Sequence, residues 1–104
     1  MSNRFSAEMV PSVEDRALVF KAIGDPTRVR IIELLRAQTE EITGTEIAES
    51  VGVSLALLCH HSRVLVEAGL VTKRKEGQTS YWTLNRDSLA AALGSLAEPG
   101  SIAE

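Results

Sequence analysis

Three residues that can bind metals or act as nucleophiles stand together in the middle of this sequence. They are Cys59, His60 and His61, and Arg63 follows closely. Zinc requires about four sulfur, nitrogen or oxygen ligands in a tetrahedral arrangement, whereas neighbouring side chains on a helix point in different directions. The run therefore does not predict a metal site, and no other cofactor is indicated.

Catalytic chemistry is not indicated either. No serine or cysteine stands in a pattern with a base and an orienting acid, and the sequence contains no glycine-rich phosphate-binding loop. We expect His61 to be a histidine of the core or one bonded at a helix cap, and His60 to face outward. An enzyme is therefore not predicted.

The segment around these residues has the pattern of two short helices joined by a tight turn. Thr43 and Glu46 form a capping box for the first helix, and Gly52 ends it. Ser54 caps the second helix, and Gly69 ends it. This arrangement predicts a helix-turn-helix, whose second helix can enter the major groove of DNA.

The second helix has two distinct sides when its residues are placed at helical spacing. The predicted core side consists of Leu57, Leu58, His61, Leu65 and Ala68. The predicted outer side consists of Leu55, Ala56, Cys59, His60 and Arg63.

A basic hairpin follows directly. Residues 70–75 and 79–84 are rich in strand-forming side chains, and Glu76, Gly77 and Gln78 form the predicted connection. Lys73, Arg74 and Lys75 line the first strand, while Ser80, Trp82 and Leu84 alternate toward the core on the second. A basic hairpin after a helix-turn-helix predicts a wing that contacts phosphates or the minor groove.

Helices are predicted on both sides of this unit. One begins after the cap Ser12 and continues to Gly24, and Asp25 with Pro26 opens the next. Residues 38–42 form a polar connection, and Asn85 caps a last helix through Leu96. The predicted organisation is a flexible arm over 1–11, one domain over 12–97 and a short tail over 98–104.

Composition sets further bounds. The 104 residues suit a single domain, and no apolar run approaches the roughly 18 residues of a membrane span. The first residues lack the pattern of a signal peptide, and the single cysteine fits a cytoplasmic protein. The net charge of −3 for the whole chain argues against DNA binding. The stretch from Cys59 to Arg86 is nevertheless net positive, and the charge of the contacting face is what matters for DNA.

These patterns together resemble the ArsR/SmtB family of bacterial winged-helix repressors over roughly residues 13–97. The residues that carry the resemblance are the run Phe20 to Arg28 with its Gly-Asp-Pro-Thr-Arg, Ile47-Ala48-Glu49, His60-His61, Arg63 to Leu65, Ala68-Gly69-Leu70-Val71 and the wing.

The resemblance implies a homodimer that binds an operator in double-stranded DNA. It implies a dimer interface on the first and last helices, with Phe20, Leu89, Leu93 and Leu96 as its candidates. The fold class we predict is mainly α with a β-hairpin: about five helices and a two-stranded wing. The candidate DNA-binding residues are Thr45, Ser54, Leu55, Ala56, Cys59, His60, Arg63, Lys73, Lys75, Gln78 and Thr79.

The sequence departs from the family pattern at its metal slots. Thr43 and Thr45 stand where some members have a Cys-x-Cys pair, and both are poor ligands for a soft metal. On the last helix Asp87 matches a second family site, but Leu89 stands in the histidine slot. Neither family metal site is therefore predicted.

Other departures lie on the second helix of the helix-turn-helix. Leu55 and Ala56 replace polar residues that are common there, Ser62 replaces a common leucine, and Cys59 replaces a common serine. One interpretation makes Cys59 a redox switch whose oxidation disturbs the DNA-binding surface. The alternative is a small residue tolerated in a serine slot.

The sequence thus predicts a repressor with an unidentified effector. The acidic charge and the apolar Leu55 and Ala56 motivate a second interpretation, a dimeric protein-interaction module with the same fold and weak DNA binding.

Overall fold

The structure, a computed structural model, describes residues 11–97 and contains five helices and three strands over that range. The predicted arm, apart from Pro11, and the predicted tail lie outside the described residues. In chain order the elements are α1 (Val13–Ala22), α2 (Pro26–Arg36), β1 (Ile42–Thr43), α3 (Gly44–Val51), α4 (Leu55–Glu67), β2 (Val71–Glu76), β3 (Thr79–Leu84) and α5 (Arg86–Ala97).

Side-chain caps fix where the helices begin, as predicted. Ser12, Asp25 and Ser54 each accept a hydrogen bond from the backbone N–H three residues further on. Thr43 and Glu46 form the predicted capping box, with bonds of 3.1 and 3.0 Å. Each of these bonds satisfies a backbone group that would otherwise lack a partner in the first helical turn.

The sheet contains one strand that the sequence analysis missed. Residues 38–42 were predicted to be a polar connection, but Ile42 and Thr43 form β1, which pairs antiparallel with β3 opposite Trp82 and Tyr81. The strand order is therefore β1-β3-β2. A two-residue strand is too short to show alternation in the sequence, which is why the prediction was wrong.

The hairpin connection is also shorter than predicted. Glu76 pairs with Thr79, so Gly77 and Gln78 alone form the turn, with Gly77 at a φ of 62°. Positive φ at this position favours glycine, and two-residue turns of this kind match the twist of the strands they join.

The core lies between the helices and one face of the sheet. The most deeply buried large side chains are Trp82, Ile31, Ile47, Leu65 and Leu70. Trp82 sits where α3 approaches the sheet most closely: a Cβ added at Gly44 would lie 2.9 Å from the Ser80 hydroxyl and 3.4 Å from Trp82 Nε1. This packing holds the first helix of the helix-turn-helix against the base of the wing. Over residues 11–97, no helix combines the length and the apolar character needed to cross a membrane.

Candidate nucleic-acid interface

Helix α4 presents one side to the core and the other to solvent. Leu58, His61, Ser62 and Leu65 are buried, whereas the five residues of the predicted outer side are all exposed: Leu55, Ala56, Cys59, His60 and Arg63. Leu57 was predicted on the core side, but 43% of it is exposed. At 100° per residue it falls at the edge of the buried face, and Ser62 takes a core position instead.

His61 is the histidine of the core that the sequence predicted. Its Nδ1 lies 3.0 Å from Nη1 of Arg28 and 3.9 Å from Oδ2 of Asp25. Because a guanidinium only donates, Nδ1 must accept, and the ring is neutral with its proton on Nε2. Arg28 also donates from Nε to the Ala22 carbonyl at 2.7 Å. One arginine therefore connects the end of α1, the start of α2 and the middle of α4.

This arrangement predicts a pH-dependent stability. Burial lowers the pKa of His61 below its ordinary value of 6.5, and Asp25 opposes this shift while Arg28 adds to it. On acidification the unfolded chain takes up the proton first, so the contribution of His61 is complete above pH 6.5 and is lost as the pH falls through the folded-state pKa. His61→Asn keeps an acceptor for Arg28 without titrating, so urea unfolding of this variant should show a weaker loss of stability below pH 6.5 than the wild type.

The matched control for this measurement is His60→Asn, which removes the exposed neighbouring ring and should retain the decline caused by His61. If His61→Asn loses stability with acid as steeply as the wild type does, the His61–Arg28 bond is not the source of the pH dependence.

The wing is attached to α4 by a polar contact between exposed Lys73 and buried Ser62. Lys73 donates from Nζ to the hydroxyl of buried Ser62 at 3.1 Å, and Ser62 donates in turn to the Cys59 carbonyl at 3.0 Å. The same ammonium lies 5.3 Å from the centroid of the Trp82 ring, within the range of a cation–π interaction. The Lys73 ammonium is thus directed to the joint between wing and helix.

Arg74 lies on the opposite face of the wing, where two carboxylates engage it. Its guanidinium bonds to Glu41 at 2.7 and 3.2 Å and to Glu76 at 3.0 Å, and it stacks 4.6 Å from the Tyr81 ring. These hydrogen bonds raise the pKa of Arg74, and the bond from Arg74 lowers the pKa of Glu41. The positive charge of Arg74 is therefore largely offset by its neighbours.

The remaining candidates for DNA contact are exposed at two places. Lys75, Gln78 and Thr79 lie at the tip of the wing, and Thr45 lies in the first turn of α3. Ser54 is exposed too, although its hydroxyl already accepts from the backbone N–H of Leu57.

The two terminal helices leave apolar side chains uncovered. Leu93 and Leu96 of α5 are 46% and 72% exposed, and Val13 and Leu18 of α1 are exposed as well. Phe20 and Leu89 are only partly buried and pack against the chain's own core. The three leucines predicted for the dimer interface are thus divided. Leu89 packs against the core together with buried Ala92, while Leu93 and Leu96 face outward.

This geometry has clear counterparts among known proteins. A domain described as bacterial regulatory protein, arsR family, matches residues 25–73. The transcriptional repressor SdpR of Bacillus subtilis is 39% identical over 67 residues, which are 64% of this chain and 72% of SdpR. The chain belongs to the ArsR family.

Two solved structures with sequences similar to this chain have the same fold. NolR from Sinorhizobium fredii matches 94% of this chain and 95% of its own with 32% identity and a TM-score of 0.66. A homodimeric winged helix-turn-helix DNA-binding domain from Mycobacterium bovis, a possible ArsR-family regulator, matches 98% and 88% with 26% identity and a TM-score of 0.67. Membership of the family confirms the winged helix-turn-helix fold and the prediction that the chain is a transcriptional regulator and not an enzyme.

The residues compared above with the family's metal sites are Thr43, Thr45, Asp87 and Leu89. Thr43 is engaged in its capping box, and Thr45 and Asp87 are exposed. Within the part of the chain that the structure describes, no three histidine, cysteine, aspartate or glutamate side chains are grouped so as to hold a metal ion.

Sequence reasoning missed three residues of the interface. Arg28 carried part of the family resemblance but had no assigned role, and Glu41 and Ser62 were not candidates. Arg28 and Glu41 each act on a residue 33 positions away, and Ser62 meets Lys73 across 11 positions. The replacement of a leucine by Ser62 was the one available signal, because a polar residue at a core position needs a partner.

Proposed function

We propose that this ArsR-family protein is a homodimeric repressor that reads a near-palindromic operator with α4 and contacts its flanks with the wing. The observation that carries the proposal is the outer side of α4, whose five residues are all exposed, next to a wing with exposed polar side chains at its tip. The relatives named repressors support the regulatory role. A bacterial regulator of this kind acts on the chromosome, so its place is the cytoplasm.

The contacts divide between base reading and positioning. Cys59, His60 and Arg63 project from the middle of the exposed side of α4 and, with Leu55, Ala56, Ser54 and Thr45, face the major groove. Lys75, Gln78 and Thr79 contact the flanking backbone. Lys73 was a candidate contact, but its bond to Ser62 favours a role in holding the wing.

Dimerisation is supported by the uncovered apolar side chains of α1 and α5. Val13, Leu18, Leu93 and Leu96 lie on these two helices, and burying apolar surface is the main favourable term in association. The similar domain from Mycobacterium bovis is homodimeric. A two-fold axis would place the two α4 helices roughly 34–36 Å apart, about one turn of B-DNA.

Two variants test the proposed division of contacts. Arg63→Ala should weaken specific binding by about 1–3 kcal/mol if the guanidinium makes a bidentate base contact. Lys75→Ala should weaken binding to all sequences alike and reduce the slope of log affinity against log salt by about one unit, because one phosphate contact is lost. Titrations of labelled duplexes at several salt concentrations measure both effects.

The control is Lys75→Arg, which retains the charge and should retain the slope. Binding that does not depend on salt, or variants that leave operator affinity unchanged, would instead favour a dimeric protein-interaction module. The protein-interaction alternative needs this test because Arg74 of the wing is already paired with Glu41 and Glu76, which reduces the positive charge available to phosphates.

The effector is proposed not to be a metal held at the usual family sites, on the strength of the residue types at Thr43, Thr45 and Leu89. An oxidant acting on the exposed thiol of Cys59 is the alternative that the sequence raised. A disulfide needs Cα atoms within about 7 Å, so Cys59 cannot bridge the two α4 helices of a DNA-bound dimer. The oxidised form would be a sulfenic acid, a mixed disulfide with a small thiol, or a disulfide between separate dimers.

If Cys59 senses oxidant, peroxide should release the protein from DNA and a reductant should restore binding. Cys59→Ser should bind DNA normally and lose this response. A gel shift with and without peroxide checks it, and release of Cys59→Ser by peroxide would assign the effect to another residue.

A further inference from the structure

The first turn of α4 exposes an apolar surface in the middle of the proposed DNA-reading side. Leu55 is 56% exposed, and Ala56 beside it is exposed as well. Leu55, Cys59 and Arg63 stand four residues apart and therefore form one stripe along the helix, and Ala56 and His60 form the adjacent stripe. The apolar pair thus continues the surface that carries the exposed thiol, imidazole and guanidinium.

Two polar side chains near this surface accept capping hydrogen bonds from the backbone. The hydroxyl of Ser54 accepts from the backbone N–H of Leu57 at 3.1 Å, and Glu46 accepts from the backbone N–H of Thr43 at 3.0 Å. Leu55 and Ala56 have no polar side-chain atoms. The start of α4 therefore offers no side-chain hydrogen bond to a base edge at positions 55 and 56.

The major groove contains one group that such a surface can bind favourably. Each base pair presents donors and acceptors there, and thymine alone among the four bases adds a methyl group. An apolar side chain against the edge of cytosine, guanine or adenine removes polar groups from water without replacing their hydrogen bonds. Against thymine, the apolar side chain buries the methyl group, and the removal of this apolar surface from water makes binding more favourable.

We propose that Leu55 and Ala56 read the methyl groups of thymines in each operator half-site, so that this protein recognises part of its site by apolar contact. The proposal rests on the function proposed above. Arg63, two turns further along the same stripe, places a positive charge beside this surface, which together with the proposed function favours DNA as its occupant. Polar contacts to bases are left to the other candidates of this face: Thr45, Ser54, Cys59, His60 and Arg63.

Replacing thymine by uracil tests the proposal directly, because uracil lacks only the methyl group. Duplexes that bind the full-length protein are first selected from a random pool, and each thymine of the selected site is then exchanged for deoxyuridine. We expect one or two thymines per half-site whose exchange weakens binding by about fourfold each, the effect of one buried methyl-sized group. Exchange of the other thymines should leave the affinity unchanged.

Two variants assign the effect to the helix. Leu55→Gln should bind the thymine and uracil forms equally at the position that Leu55 contacts, and any discrimination left at a second thymine is assigned to Ala56. Leu57→Gln is the matched control: it changes an exposed leucine two residues away, on another side of α4, and should keep the wild-type discrimination. Both variants are checked by thermal unfolding so that binding is compared between folded proteins.

The outcomes separate this proposal from the one on which it rests. Methyl reading is overturned if every thymine of the selected site can be exchanged for uracil without loss of affinity, or if the selected half-sites contain no thymine. Either result leaves the repressor proposal intact. Discrimination that persists at every sensitive thymine in Leu55→Gln overturns the assignment to Leu55. If no sequence is enriched at all, sequence-specific binding itself fails, and methyl reading fails with it.

Discussion

Replacement of Leu93 by aspartate should turn the dimer into monomers and lower operator affinity by at least about a hundredfold, since a bound dimer gains its second half-site contact without a new association event. Leu93 is nearly half exposed on α5, a helix that packs against α1. A carboxylate there would have to be buried without a partner when two copies associate, which is strongly unfavourable. Sedimentation velocity at micromolar concentration measures the first effect, and a duplex titration measures the second.

Ala91→Asp provides the matched control. It introduces the same charge on α5 at an exposed position two residues earlier, and the helical repeat places it on a different side of the helix. We expect this variant to remain dimeric. A wild-type protein that sediments as a monomer at micromolar concentration would contradict the proposed dimer through α1 and α5.

The second large effect is expected for Trp82→Ala, which should lower the free energy of unfolding by about 3–5 kcal/mol. Trp82 is 1% exposed and lies opposite both Ile42 and Lys73 in the sheet. Its removal leaves a cavity where β1, β2 and the start of α3 meet, and it ends the ring's contact with the Lys73 ammonium. Urea unfolding followed by far-ultraviolet circular dichroism gives the change.

Tyr81→Ala is the comparison for this measurement. Tyr81 is the adjacent residue on β3, points to the other face of the sheet and is only partly buried, so its loss should have a clearly smaller effect. A domain of this size has a total stability of about 5–15 kcal/mol, so Trp82→Ala is expected to be marginally folded. Equal losses for the two variants would show that the core is not centred on Trp82.

The parts of this fold that depend on local chemistry could be predicted from the sequence. Ser12, Asp25, Thr43 and Ser54 each cap a helix through a bond to a residue only three positions away, and spacing alone reveals such a bond. The outer side of α4 could be predicted for the same reason, because helical spacing decides which residues share a side.

The parts that depend on contacts between distant segments could not be predicted. The strand β1 exists because β3 offers Ile42 and Thr43 a partner about 40 residues further along the chain, at Trp82 and Tyr81. Leu57 was misplaced because helical spacing does not show how wide the buried face is. The wing appeared uniformly basic in sequence, and only the fold places Glu41 against Arg74.

The pairing of Arg74 with Glu41 and Glu76 has a consequence for how the protein is distributed over a chromosome. Binding to arbitrary DNA is almost wholly electrostatic and grows with each cation that displaces counterions from phosphate. A guanidinium held by two carboxylates, in a chain with a net charge of −3, contributes little to that binding. Occupancy of an operator depends on two quantities: the ratio of specific to non-specific affinity, and the number of competing non-specific sites on the genome. If the protein binds an operator as we propose, fewer copies are therefore sequestered on the genome, and fewer are needed per cell to keep that operator filled.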